Sequence, residues 1–112
     1  MNRTICGLVG ATILIGVLGC SKDPPKVRAS NQRPTTAHVQ LKPPSGSTIN
    51  INNVGPGSTT GYIEVPESQY EVDVNIENVS ASATTFFTAS EDESYTIVVL
   101  NTDPPTARVD SP

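Results

Sequence analysis

Apolar and polar residues alternate most strictly between Gln69 and Glu77, where Tyr70, Val72, Val74 and Ile76 interleave with Glu71, Asp73, Asn75 and Glu77. A period of two places all four apolar side chains on one face, so this segment predicts a strand with one buried and one wet side. Gly61 to Val65 has the same β character, and Pro66-Glu67-Ser68 is the length of a tight connection; together they predict an antiparallel hairpin. Ser94 to Leu100 becomes apolar on both faces toward its end, which predicts a central strand with Tyr95, Ile97 and Val99 in the core. Shorter strands are expected at Ala37–Leu41, Thr48–Ile51 and Thr84–Thr88, with turns at Pro43-Pro44-Ser45-Gly46 and Val54-Gly55-Pro56-Gly57. No stretch after residue 20 keeps a 3.6-residue apolar period over eleven residues. The pattern as a whole therefore predicts an all-β, two-layer sandwich of six strands.

The N-terminus is patterned differently. Arg3 is followed by an apolar run from Ile5 to Leu18 that ends in small residues, the layout of a secretory signal. Fourteen residues fall short of the roughly 20 that a membrane-spanning helix needs, and Lys22, Asp23, Pro24 and Pro25 close off any extension. The ending Val17-Leu18-Gly19-Cys20 resembles the lipobox of bacterial lipoproteins. That resemblance implies that residues 1–19 are a signal peptide and that Cys20 is the lipid-modified N-terminus of the mature chain. Ser21 after the cysteine implies sorting to the outer membrane rather than the inner, if the host is proteobacterial. Cysteine usage agrees, because Cys6 leaves with the signal and Cys20 then has no disulfide partner. An ordinary cleaved signal, or an uncleaved anchor, with Cys20 a bystander is the alternative.

Residues 20–35 hold three prolines and almost no apolar side chains, and read as a flexible tether. The domain is expected over 36–103 and a loose tail over 104–112, with a brief edge strand conceivable at Ala107–Val109. Charge is divided along the same line. Residues 20–42 carry a net +4 through Lys22, Lys26, Arg28, Arg33 and Lys42 against Asp23, whereas residues 43–112 carry a net −9. A basic stem beside a lipid anchor suits anionic headgroups, and a merely solvated linker fits equally well. An acidic body with one histidine argues against a nucleic-acid partner, which requires clustered Lys and Arg.

The succession Gly61-Tyr62-Ile63-Glu64-Val65-Pro66, Tyr70-Glu71-Val72-Asp73-Val74 and Tyr95-Thr96-Ile97-Val98-Val99 resembles an uncharacterised Ig-like β-domain of secreted bacterial proteins. The resemblance spans residues 37–102 and implies a small Ig-like, Greek-key β-sandwich without known catalytic residues.

Candidate chemistry is sparse. His38 lies on an expected strand with no carboxylate close in sequence, and no serine sits in a Gly-x-Ser-x-Gly elbow. Gly55-Pro-Gly57-Ser-Thr-Thr-Gly61 is glycine-rich but has no following lysine or helix, which makes it an inter-strand loop rather than a phosphate cradle. Glu91, Asp92 and Glu93 cluster hard oxygen ligands suited to Ca2+, to which Asn101 and Asp103 would add if the fold brought them near. Asn78-Val79-Ser80 matches a glycosylation pattern with little meaning for a bacterial chain, and Tyr62, Tyr70 and Tyr95 read as core. These observations lead us to expect no enzyme, cofactor or bound metal. The expected protein is lipid-anchored in the bacterial cell envelope through Cys20, a structural or binding module for an envelope protein or glycan. A small hydrolase using His38 and a Ca2+-stabilised adhesion module are the alternatives.

Overall fold

The computed structural model describes residues 22–111. Eight strands form two four-stranded sheets, with no helix among the described residues: β1 (Lys26–Asn31), β2 (Ala37–Lys42), β3 (Ile49–Val54), β4 (Ile63–Glu64), β5 (Ser68–Ile76), β6 (Ser82–Ala89), β7 (Ser94–Leu100) and β8 (Thr106–Asp110). The first sheet has the order β4-β1-β7-β8 and the second β3-β2-β5-β6. The chain is thus a small all-β sandwich of the Ig-like, Greek-key kind.

The two inner faces supply the core. Val72, Val74 and Ile76 of β5 point inward with Tyr70, as their alternation requires, and meet Val39 and Leu41 of β2 and Val27, Ile97 and Val99 of the opposite sheet. Strand β7 lies between β1 and β8, so its apolar outer residue Val98 is buried as well. Tyr95, Ile97 and Val99 are core residues, as the sequence predicted.

Three expectations are corrected. The stretch assigned to a tether contains β1, which pairs in parallel with β7 from Lys26 opposite Ser94 to Asn31 opposite Val99. The domain therefore begins well before residue 36. Gly61–Val65 does not form a hairpin with β5: Ile63 and Glu64 pair with β1 in the first sheet, and β5 lies between β2 and β6 in the second. Pro66 and its neighbours are a crossing between layers, not a two-strand turn. Finally, the segment read as a loose tail is held in place: the edge strand foreseen at Ala107–Val109 is present and longer, as β8, paired antiparallel with β7 from Thr106 to Asp110. The count is eight strands rather than six.

The strand directions define two ends. At the entry end lie Pro25, the β4–β5 crossing, the β6–β7 turn and Ser111; at the far end lie the β1–β2 loop, the β5–β6 turn and the β7–β8 loop. Turn positions with positive φ take residues that tolerate it, Asn78 (φ 65°) in the β5–β6 turn and Asp92 (φ 65°) in the β6–β7 turn. The entry end is laced tightly. Asp23 N donates to Asp92 Oδ1 at 3.0 Å, and Asp92 N donates to Asp23 O at 2.9 Å. Lys26 N reaches Glu93 O at 3.1 Å, and Val65 N reaches the carbonyl of buried Pro25 at 2.9 Å. Two buried tyrosines fasten the neighbouring turns: Tyr70 Oη donates to Pro66 O at 2.6 Å, and Ser90 N donates to Tyr95 Oη at 2.9 Å.

Candidate interaction surface

Strand alternation that drives Tyr70 and Phe87 inward drives their neighbours out. On the outer face of the second sheet the register sets Lys42, Glu71 and Phe86 in one row, with Gln40, Asp73 and Thr84 in the next. Phe86 is 69% exposed, the most exposed large apolar side chain among the described residues. Its neighbour Phe87 packs instead between Tyr70, 5.7 Å away and stacked, and Tyr95, 5.0 Å away and tilted. Burial raises the Tyr70 hydroxyl above its ordinary pKa. Where β2 turns away at Pro43 and Pro44, a groove of about 600 Å³ opens between these prolines, Lys42, Gln69 and Phe86.

The polar part of this face is a charge network. Lys42 Nζ lies 2.7 Å from Asp73 Oδ2, and Thr84 Oγ1 donates to Asp73 Oδ1 at 2.8 Å. The bond to Lys42, followed by that to Thr84, holds the Asp73 carboxyl below its usual value despite some desolvation. Glu71, two residues along the same face, is pushed up, first by its hydrogen bond to Asp73 and then by repulsion from that charge. Lys42 is raised by the same pairing with Asp73. The arrangement offers an aromatic face beside a cation, an amide and two carboxylates, groups suited to making contacts.

Cys20 lies outside the described residues. His38 projects from β2, where its Nδ1 accepts a hydrogen bond from Asn53 N at 3.0 Å. That bond serves the irregularity where the β2–β3 register shifts and Asn53 adopts φ 59°. No serine or carboxylate is hydrogen-bonded to His38 among the described residues. Asn101 and Asp103 are separated from Glu91, Asp92 and Glu93 by the whole length of β7, and they do not join them. No group of three or more His, Cys, Asp or Glu positioned for a metal occurs among the described residues. Asp92 instead holds Asp23, as described above.

The glycine-rich loop runs along β1, with Asn31 N donating to Ser58 O at 2.8 Å and Thr60 N to Ala29 O at 2.9 Å. Tyr62 departs from the expected core position: it is 44% exposed, with the Arg28 guanidinium 4.7 Å above its ring. The supposed basic stem is dispersed. Arg28 also donates to Thr96, Arg33 donates to Leu100 O and Thr102 O at the far end, and Lys42 is engaged with Asp73. Sequence reasoning passed over Lys42, Glu71 and Phe86 as a site. The signal available was the Phe86-Phe87 pair, since adjacent residues on a strand cannot both face the core.

No protein-family model matches the chain, and no curated protein matches it significantly.

Proposed function

We propose that this chain is a non-catalytic module of the bacterial cell envelope, anchored by lipid on Cys20, that presents the outer face of its second sheet to an envelope protein or glycan. The observation that carries the binding role is Phe86, left 69% exposed beside a groove bordered by Lys42 and Gln69. Isolated exposed apolar residues are ordinary, but an aromatic ring beside a cleft with convergent polar groups is the composition of a contact site. The anchor rests on the charged start, short apolar run and Gly19-Cys20 ending. In a proteobacterial host, Ser21 favours the outer membrane over the inner.

Intact mass spectrometry of the membrane-extracted protein tests the anchor. The mature chain is expected to begin at Cys20 with diacylglycerol and acyl additions, all absent from Cys20→Ala; an unmodified chain refutes the lipoprotein reading. A photo-crosslinking residue at position 86 tests the face, with discrete adducts expected in intact cells and no adducts counting against it.

A further inference from the structure

The domain was expected to begin after a long tether, but Asp23 is already bonded into it, its main chain held from both sides by Asp92 in the β6–β7 turn. Pro25 is buried and β1 starts at Lys26. Only Ser21 and Lys22 therefore separate Cys20 from a residue bonded into the sandwich. A fully extended chain advances at most about 3.6 Å per residue, so Asp23 lies within about 11 Å of Cys20 whatever the leader's conformation. The polar layer of one bilayer leaflet is itself about 5–8 Å deep. A lipid on Cys20 thus leaves almost no clearance between the headgroups and the β6–β7 turn.

We propose that the sandwich is seated directly on the bilayer surface by its entry end, with the β6–β7 turn and the β4–β5 crossing against the headgroups and the β5–β6 turn directed away. The inference rests on lipidation of Cys20, as proposed above, and adds a fixed seat where a tethered domain would wander. The seat is built to hold its shape. Tyr70 ties down Pro66, Tyr95 ties down Ser90, and Glu91 N donates to Glu67 Oε2 at 3.3 Å. Lys22, whose ammonium lies 3.9 Å from Glu91 Oε1, and Lys26 at the start of β1 place cations beside the carboxylates of this rim. The groove beside Phe86 lies toward the same end, since the Lys42–Glu71–Phe86 row is three residue pairs from the Ser68–Ala89 pair that closes β5 and β6. At strand rise this is about 10 Å.

The test uses the lipidated full-length protein in phosphatidylcholine vesicles containing a headgroup-nitroxide lipid. Once the signal is removed and Cys20 is acylated, an introduced cysteine is the only free thiol. A fluorophore on Glu91→Cys should lose its emission to the nitroxide, while one on Ser80→Cys should not. The eight residues of β6 separate these sites by about 27 Å. Inserting a long Gly-Ser spacer between Ser21 and Lys22 should abolish the loss at position 91. Equal quenching at both positions, or quenching at 91 unaffected by the spacer, overturns the seat while leaving the lipoprotein reading intact. Mass spectrometry of the same samples separates the two, because an unmodified Cys20 removes both.

Discussion

Asn31 is the buried polar residue of the sandwich, only 1% exposed, and its amide is saturated. Nδ2 donates to Thr35 O at 2.7 Å, Val54 O at 3.0 Å and Gly55 O at 3.3 Å, while Oδ1 accepts from Arg33 N at 2.9 Å. It thereby joins the end of β1 to the loops that follow β1 and β3. Asn31→Leu keeps the forked outline of the side chain but strands these partners, and should destabilise the fold by about 2–4 kcal/mol in urea titration. Phe86 and Phe87 make an opposite pair of expectations. Phe86→Ala should leave stability within about 0.5 kcal/mol, whereas Phe87→Ala, which empties the space between Tyr70 and Tyr95, should cost about 2–3 kcal/mol. Equal effects of the two would contradict the assigned faces. On the outer face the pH dependence has a definite sign. Asp73 is held below its ordinary pKa by Lys42, so it contributes stability above that value that is lost as pH falls through the folded one. Glu71 is raised above 4.5 by Asp73, so its ionisation removes stability as pH rises through the folded value. Glu71→Gln keeps a donor for Asp73 and deletes the repulsion. Its melting temperature should exceed that of the native protein at pH 7, and the gain should vanish as the pH falls below 4.5 and Glu71 becomes protonated.

Among the elements, β5 and β7 were legible because their patterns are strong: four consecutive inward apolar residues in one, and apolar residues on both faces in the other. Strand β1 was not, although it alternates just as strictly. Its inward positions are Val27, Ala29 and Asn31, small or polar side chains in a segment flanked by prolines, so periodicity carried almost no hydrophobic signal. What makes it a strand is tertiary: the parallel ladder to β7 and the space beneath it. The same reason hid the true partner of Ile63 and Glu64, since proximity in sequence suggested β5 while the vacant edge lay along β1. Of the candidate site, the outward positions followed from alternation, but the row formed by Lys42, Glu71 and Phe86 depends on the register between three strands, which no single segment encodes. Truncation tests the place of β1. A chain beginning at Asp23 should unfold in one cooperative step, whereas one beginning at Thr36 should lack a thermal transition; retained cooperativity in the shorter chain would restore residues 26–35 to the role of a tether.

For the molecule as a whole, the sequence conveyed the class and the layering, because β-branched alternation without helical periodicity admits few other solutions. It misplaced the boundary between leader and body, and with it the meaning of the basic residues. Arg28 and Lys42 serve the outer faces of the two sheets and Arg33 the far end, so the +4 of residues 20–42 is not a stem. The parallel pairing of β1 with β7 also governs when the fold can close. Arg28 meets Thr96 across 68 residues of chain, and no other strand offers β1 more than the two-residue contact of β4. A chain that emerges N-terminus first can pair β1 with the 58–60 loop and β4, but must hold the other edge of that strand open until β7 follows. Closure of the first sheet is thereby deferred until β7 is available, and the long loop that this contact must close slows it.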